Sequence, residues 1–334
     1  MLYLLHPDLV VLCRTSRLFR NLATPLLYRS VSLSTDRQLH CFVRTMTKPS
    51  CAHLSNHVRR FSITDEEVEL KLTPPIVNSI TSIVSKFTRL EVLDLILAFP
   101  VEFTDLLRDA SFPHLATFQY TLQQHTALLL PSFLNRHPTL FNLGLTRISV
   151  VDELPPDTIS LPNLGIYNGP SAVACAFAPA TGHITSACLL WYPDDLDVKR
   201  ALLHLSRTCA SLVALMPITT ADDPARVVIL QQLATHLPHL RILRFRRVRG
   251  ENAPLSRDAA REIATCLKQF TSLFFLEFDN PENPVQHDRG NDNIVDDRET
   301  ILSWSAACKS LAEIALHGRV WMQLRGHWRV ILVV

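Results

Sequence analysis

Fourteen histidines, eight cysteines and one Asp/Asn-rich run are the residues of this 334-residue chain whose types could do chemistry. Histidines serve as metal ligands or proton shuttles only when they converge with other donors. Here they fall singly. His114, His137 and His239 each adjoin a Pro in loop-like phrases, and Pro238 breaks the helix that would align His236 with His239. Cys13, Cys41, Cys51, Cys175, Cys188, Cys209, Cys266 and Cys308 include no C-x-x-C pair and sit mostly inside apolar runs, so they read as reduced core residues. Asp288 to Glu299 places oxygen ligands at positions 1, 5, 9 and 12 of a calcium loop. It fails at position 6, where Asn293 replaces the turn glycine, and at position 3, where Gly290 replaces a ligand. Solvated insertion is the expectation there, and neither metal nor cofactor is expected anywhere.

No G-x-S-x-G, G-x-x-x-x-G-K, H-E-x-x-H or G-x-G-x-x-G occurs, and 8 glycines leave little material for phosphate-cradling loops. The chain therefore reads as a non-enzyme. Its densest charge cluster is Arg241 to Arg249, five arginines in nine residues. A formal net charge of +2 is too small to draw nucleic acid or an acidic membrane, so that cluster must be read locally.

The elements that position these residues follow from composition. Leucine fills 54 positions and charged residues only 19%, enough apolar surface for a large folded core, and the length exceeds one compact core. Met1 to Leu5 is apolar, but His6-Pro7-Asp8 follow it with no basic flank or cleavage site. No run approaches a membrane span, and no N-x-S/T sequon occurs. A cytosolic or nuclear protein is expected.

The leucines are periodic. An apolar-x-x-apolar-x-apolar pattern recurs in Leu90-Leu93-Leu95, Leu115-Phe118-Tyr120, Leu140-Leu143-Leu145, Leu161-Leu164-Ile166, Leu240-Leu243-Phe245, Leu273-Leu276-Phe278 and Leu311-Ile314-Leu316. Weaker copies start at Tyr28, Val58, Ile184 and Leu212, where Pro217 spoils the third place. The mean step is about 28 residues, within the 20 to 29 of leucine-rich repeats. A loop phrase precedes the copies, as in Phe112-Pro113-His114-Leu115 and Leu237-Pro238-His239-Leu240. Helical stretches precede the phrase, starting at Ser34, Thr73, Asp222 and Ser256, where side-chain oxygens can cap free N–H groups. Each unit is then helix, loop, strand. Its apolar faces can be buried only against neighbouring units, which predicts an α/β leucine-rich-repeat solenoid with parallel strands on one face and helices on the other. The Asn or Cys expected eight residues after the first Leu is absent, with Ala98, Gln123, Ile148, Val248 and Pro281 in its place, marking an irregular variant.

The first thirty residues carry a further signal. Leu12-Cys13-Arg14, Leu18-Phe19-Arg20, Leu22-Ala23 and Pro25-Leu26-Leu27-Tyr28 match, position by position, the phrase by which fungal-type F-box proteins run from their last F-box helices into C-terminal leucine-rich repeats. The chain resembles that family. The opening Leu-Pro-x-Glu helix is not found between Met1 and Asp8, so the resemblance implies an F-box remnant, shortened or decayed. It assigns residues 1–27 to a partial F-box or helical cap and 28–334 to about eleven irregular repeats with an acidic, Asn-rich insert at 279–300. It also implies a non-catalytic substrate receptor of an SCF ubiquitin ligase, a monomer within a complex, with Leu9, Leu12, Leu18, Leu22 and Leu26 as adaptor-binding candidates. The alternative for the same leucines is a cap buried on the first repeat, in a repeat protein without ligase attachment.

Strand alternation places a partner surface in the C-terminal third. If Leu243 and Phe245 point inward, then Ile242, Arg244 and Arg246 face the open side, and the next unit exposes Phe275, Glu277 and Asp279. A mixed Arg and acid face with apolar anchors suits a protein partner better than the uniform negative charge of DNA. Solvated cross-strand ion pairs are the other reading of these residues.

Overall fold

The computed structural model describes residues 6–64, 70–99, 101–147, 154–181, 184–191, 198–208, 212–219, 223–247, 255–278 and 292–333. The chain divides into two compact units, residues 1–154 with 158–164, and residues 155–157 with 165–334.

The first unit opens with a helical hairpin, α1 (His6–Thr15) and α2 (Arg17–Leu27). It continues as β1 (Ser30–Leu33), α3 (Asp36–Met46), β2 (Arg60–Thr64), α4 (Pro74–Val84), β3 (Val92–Ile96), α5 (Thr104–Asp109), β4 (Thr117–Leu122), α6 (Gln124–Ala127), α7 (Leu130–Asn135) and β5 (Asn142–Arg147). The five strands pair in parallel and in sequence order, with Val31, Phe61, Leu93, Phe118 and Leu143 in one register row. The second unit contains β6 (Ile166–Pro170), α8 (Ser171–Ala174), β7 (Ser186–Trp191), α9 (Val198–Thr208), β8 (Ala214–Thr219), α10 (Asp223–His236), β9 (Ile242–Arg247), α11 (Arg257–Leu267), β10 (Phe275–Phe278), α12 (Asp292–Ala307) and β11 (Glu313–Leu316). Its parallel row is Tyr167, Ala187, Leu215, Leu243, Leu276 and Ile314. Each unit is thus α/β with helix–strand repeats stacked in order.

Leucines of these rows and the leucines three residues before them are fully buried: Leu90, Leu93, Leu140, Leu143, Leu240, Leu243, Leu273 and Leu276 are all at 0% exposure. One frame is corrected. Tyr167 pairs with Ala187, so the copy read at Leu161-Leu164-Ile166 is Leu164-Tyr167-Gly169, three residues later. Before most copies the phrase is a tight turn in which the Leu N–H returns to the carbonyl three residues back, as in Leu115 to Phe112 and Leu240 to Leu237. The next residue's carbonyl then accepts two N–H groups from the following repeat: Glu91 O from Ala116 and Thr117, and Arg241 O from Phe274 and Phe275. This backbone ladder joins successive repeats where each strand begins, and at one of the positions where the Asn is missing Gln123 donates from Nε2 to Val101 O at 2.8 Å.

Helix starts follow the caps. Ser256 accepts from Ala259 N at 3.1 Å, whereas the α3 cap is Thr35, one residue beyond the expected Ser34, and Ser34 N–H instead donates to Gln38. Residues 292–300, expected within a solvated insert, are the first turns of α12, and Asp297 is 3% exposed. Two elements were not foreseen at the C-terminus. Strand β12 (Arg319–Leu324) runs antiparallel to β11, and β13 (His327–Val333) runs antiparallel to β12. Their turns, His317-Gly318 and Arg325-Gly326, hold all four residues at φ between 49° and 80°, the two-residue turn that suits the twist of a hairpin. Asp297 clamps the first turn, its carboxylate accepting from His317 Nδ1 at 2.7 Å and Arg319 at 3.1 Å.

Of the described cysteines, Cys188, Cys266 and Cys308 are buried but Cys41 is exposed, contrary to a uniformly core assignment; Cys209 lies outside the described residues. His137 lies in the loop after α7 as expected, but it is buried there, at 1% exposure. No helix among the described residues is long and apolar enough to cross a membrane.

Candidate interaction surfaces

The N-terminal hairpin is set by its caps. Ser16 separates α1 from α2 and accepts from Phe19 N at 3.1 Å, and Arg20 Nε ties α2 back to Cys13 O at 3.0 Å. Within α2, Ala23 is the buried contact residue. Leu18, Leu22 and Leu26 are four apart and share one face. They are 66%, 61% and 53% exposed, with Phe19 at 46% beside them and Val11 of α1 at 60%. Leu9 is buried and Leu12 half-buried. The five candidate leucines therefore do not act as one set. Leu9 and Leu12 serve packing, while Leu18, Leu22 and Leu26 form an outward apolar stripe whose burial by a partner is worth about 1.5–3 kcal/mol per side chain. A charge signal missed in the sequence accompanies the stripe. Between positions 1 and 64 the chain carries nine Lys or Arg against two Asp, and Arg14, Arg17, Arg20 and Arg29 are exposed there.

The strand face of β9 and β10 is arranged differently from expectation. Ile242 and Phe275 are register partners, both half-buried, and Arg244 lies opposite Glu277. Arg244 Nε stands 3.5 Å from Glu277 Oε2, and its guanidinium lies 5.1 Å from the Phe275 ring centre. Glu277 is 7% exposed. Alternation gave its direction correctly but not its burial, because Arg244 on one side and β11 on the other close over a carboxylate in an interior strand. This face offers a fixed Arg–aromatic–acid group rather than free charges. The backbone of Arg246 is in register with Ile218, its side chain is outside the description, and Asp279 lies outside the described residues.

The clefts present little chemistry. One of about 350 Å³ between α4 and α5 is lined by Leu72, Val77, Thr81, Glu102, Thr104 and Asp105 among others. Another of about 240 Å³ lies between α11 and α12, with Arg257, Arg261, Glu299, Ser303 and Trp304. Neither brings a histidine or cysteine to its wall. Among the described residues, no group of three His, Cys, Asp or Glu side chains is placed to hold a metal ion.

No family model matches the chain, and no curated protein matches it. Among solved structures, a protein from Bacteroides fragilis is similar over 86% of this chain and 74% of its own, with 14% sequence identity and a TM-score of 0.45.

Proposed function

We propose that the chain is a non-catalytic protein-interaction scaffold that works as an F-box-type substrate receptor of an SCF ubiquitin ligase in the cytosol or nucleus. The observation that carries this reading is the α2 stripe: Leu18, Leu22 and Leu26 lie outward in the very segment whose wording resembles an F-box. A helix that served only to cap the first repeat would turn its apolar face inward, since exposed apolar area of this kind marks a binding surface. In this reading the hairpin docks on the adaptor subunit, and the repeat strands hold the substrate, with Ile242, Arg244 and Phe275 as its contact group. The scaffold brings substrate and transferring enzyme together and moves no bonds itself.

A second reading, a repeat protein without ligase attachment, is favoured by the burial of Leu9 and Ala23, which give the hairpin a capping role on its inner side. Titration of the full chain with purified SCF adaptor separates the two. Saturable binding supports the receptor, and its absence supports the unattached scaffold.

A further inference from the structure

We infer that the outer edge of β13 is a docking site for an extended peptide segment carrying acidic residues, added to the sheet as a further strand. The inference is independent of the adaptor reading, because it rests on a different end of the chain.

Its basis is the hydrogen-bond phase of the C-terminal hairpins. The two-residue turn at Arg325-Gly326 makes Leu324 and His327 a hydrogen-bonded pair, so bonding alternates from there as far as Trp321 and Val330, where the register shifts by a bulge. Gln323 is then out of phase with β13, and its N–H indeed donates the other way, to Ala312 O at 2.9 Å. Its partner Trp328 must likewise turn its N–H and C=O away from β12, and Val330, opposite Trp321, does the same. Among the described residues no strand pairs with that side, since β13 is the last in the sheet order. Unpaired edge groups of this kind are a template for another extended chain. Val330 and Ile331, 40% and 46% exposed, add apolar contact.

Charge selects the occupant. From Val320 to Val334 the sequence carries Arg325 and Arg329 and no Asp or Glu, while Arg319 just before them is held by Asp297. A second copy pairing along β13 would bring the Arg325 and Arg329 side chains of both chains to one seam, which like-charge repulsion disfavours. An incoming strand with an acid opposite Arg329 and an apolar residue opposite Val330 satisfies backbone, charge and apolar contact together.

The test uses the full chain and two capped, fluorescein-labelled peptides, Thr-Val-Glu-Val-Glu-Thr and its counterpart with Lys for Glu, followed by anisotropy and amide hydrogen exchange. The Glu peptide is expected to bind about fivefold or more tightly than the Lys peptide and to slow exchange at Trp328 and Val330 about tenfold. Val330→Pro removes an N–H that β12 does not use and should abolish binding while leaving the melting temperature nearly unchanged. Arg329→Glu should reverse the peptide preference, an outcome that does not depend on how the proline variant folds. No binding, equal binding of both peptides, or protection of these amides on dimerisation of the chain alone would each overturn the proposal.

Discussion

Replacing His137 with Phe should remove a pH dependence of stability that a single buried imidazole imposes on the first unit. His137 follows α7 at 1% exposure, its ring stacked 5.7 Å from Phe112 and tilted against Phe133 at 4.3 Å. Phe112 N–H donates to its Nε2 at 2.9 Å, while Nδ1–H donates to Phe133 O at 2.7 Å, so the bonding pattern fits the neutral ring. Burial, with a smaller push from Arg136, lowers its pKa from 6.5 to about 4 against the favourable Phe133 bond. Between those values the unfolded chain holds the extra proton and the folded chain does not. Stability is therefore fully present above about pH 6.5, falls as pH drops through the window, and stops falling below about pH 4. At 1.36 kcal/mol per pH unit the full loss is about 3 kcal/mol, of which about 2.5 kcal/mol is expressed by pH 4.5. His137→Phe puts at this corner the residue that Phe87 and Phe112 supply in the preceding repeats. It orphans the Phe112 N–H at a cost of about 1–3 kcal/mol at pH 7.5. Urea unfolding followed by helical circular dichroism at pH 7.5 and 4.5 reads both effects. Wild type should lose about 2.5 kcal/mol more than the variant on acidification, whatever the shared carboxylates contribute. Parallel losses in the two proteins would refute the assignment of a buried neutral imidazole.

Three further outcomes follow from the packing. Leu243→Ala empties a fully buried position in the second unit's row and should cost about 2–5 kcal/mol in chemical denaturation. Arg244→Glu, which on sequence alone would be a neutral surface change, sets a second carboxylate against buried Glu277 and should cost about 1–3 kcal/mol, read as a lowered melting temperature that Arg244→Glu with Glu277→Gln partly restores. Asp297→Ala leaves Arg319 without its carboxylate and should destabilise the C-terminal hairpins by about 3–5 kcal/mol, seen first as faster amide exchange at Trp321 and Met322.

The repeat frame was legible because leucine at fixed spacing has one means of burial, and ten of the eleven strand registers follow from it. It slipped only at Leu161, where the true copy carries Tyr167 at the centre and Gly169 at the third place, a pattern that the apolar search passes over in favour of the leucines just before. The C-terminal hairpins carry a different and purely local signal, His317-Gly318 and Arg325-Gly326 flanked by alternating residues, which the helix–strand period of about 28 residues does not contain. His137 and Glu277 show a different limit. A polar residue's burial depends on what the neighbouring repeat lays over it, and the partners, Phe112 N–H and Arg244, stand 25 and 33 residues away. The same limit hid the split in the N-terminal leucines: helical spacing aligns Leu18, Leu22 and Leu26, but the inward side of α2 is fixed by Ala23 and its contacts, which spacing does not reveal.

The central claim, that the α2 stripe attaches the scaffold to a ligase, is tested most directly by calorimetric titration of purified SCF adaptor into the full chain and into its Leu18→Asp, Leu22→Asp, Leu26→Asp variant. These side chains are exposed, so the triple variant should melt within about 0.5 kcal/mol per site of wild type. Wild type should bind saturably and the variant should not. A wild-type chain that does not bind the adaptor, or a variant that binds it as tightly as wild type, would contradict the account.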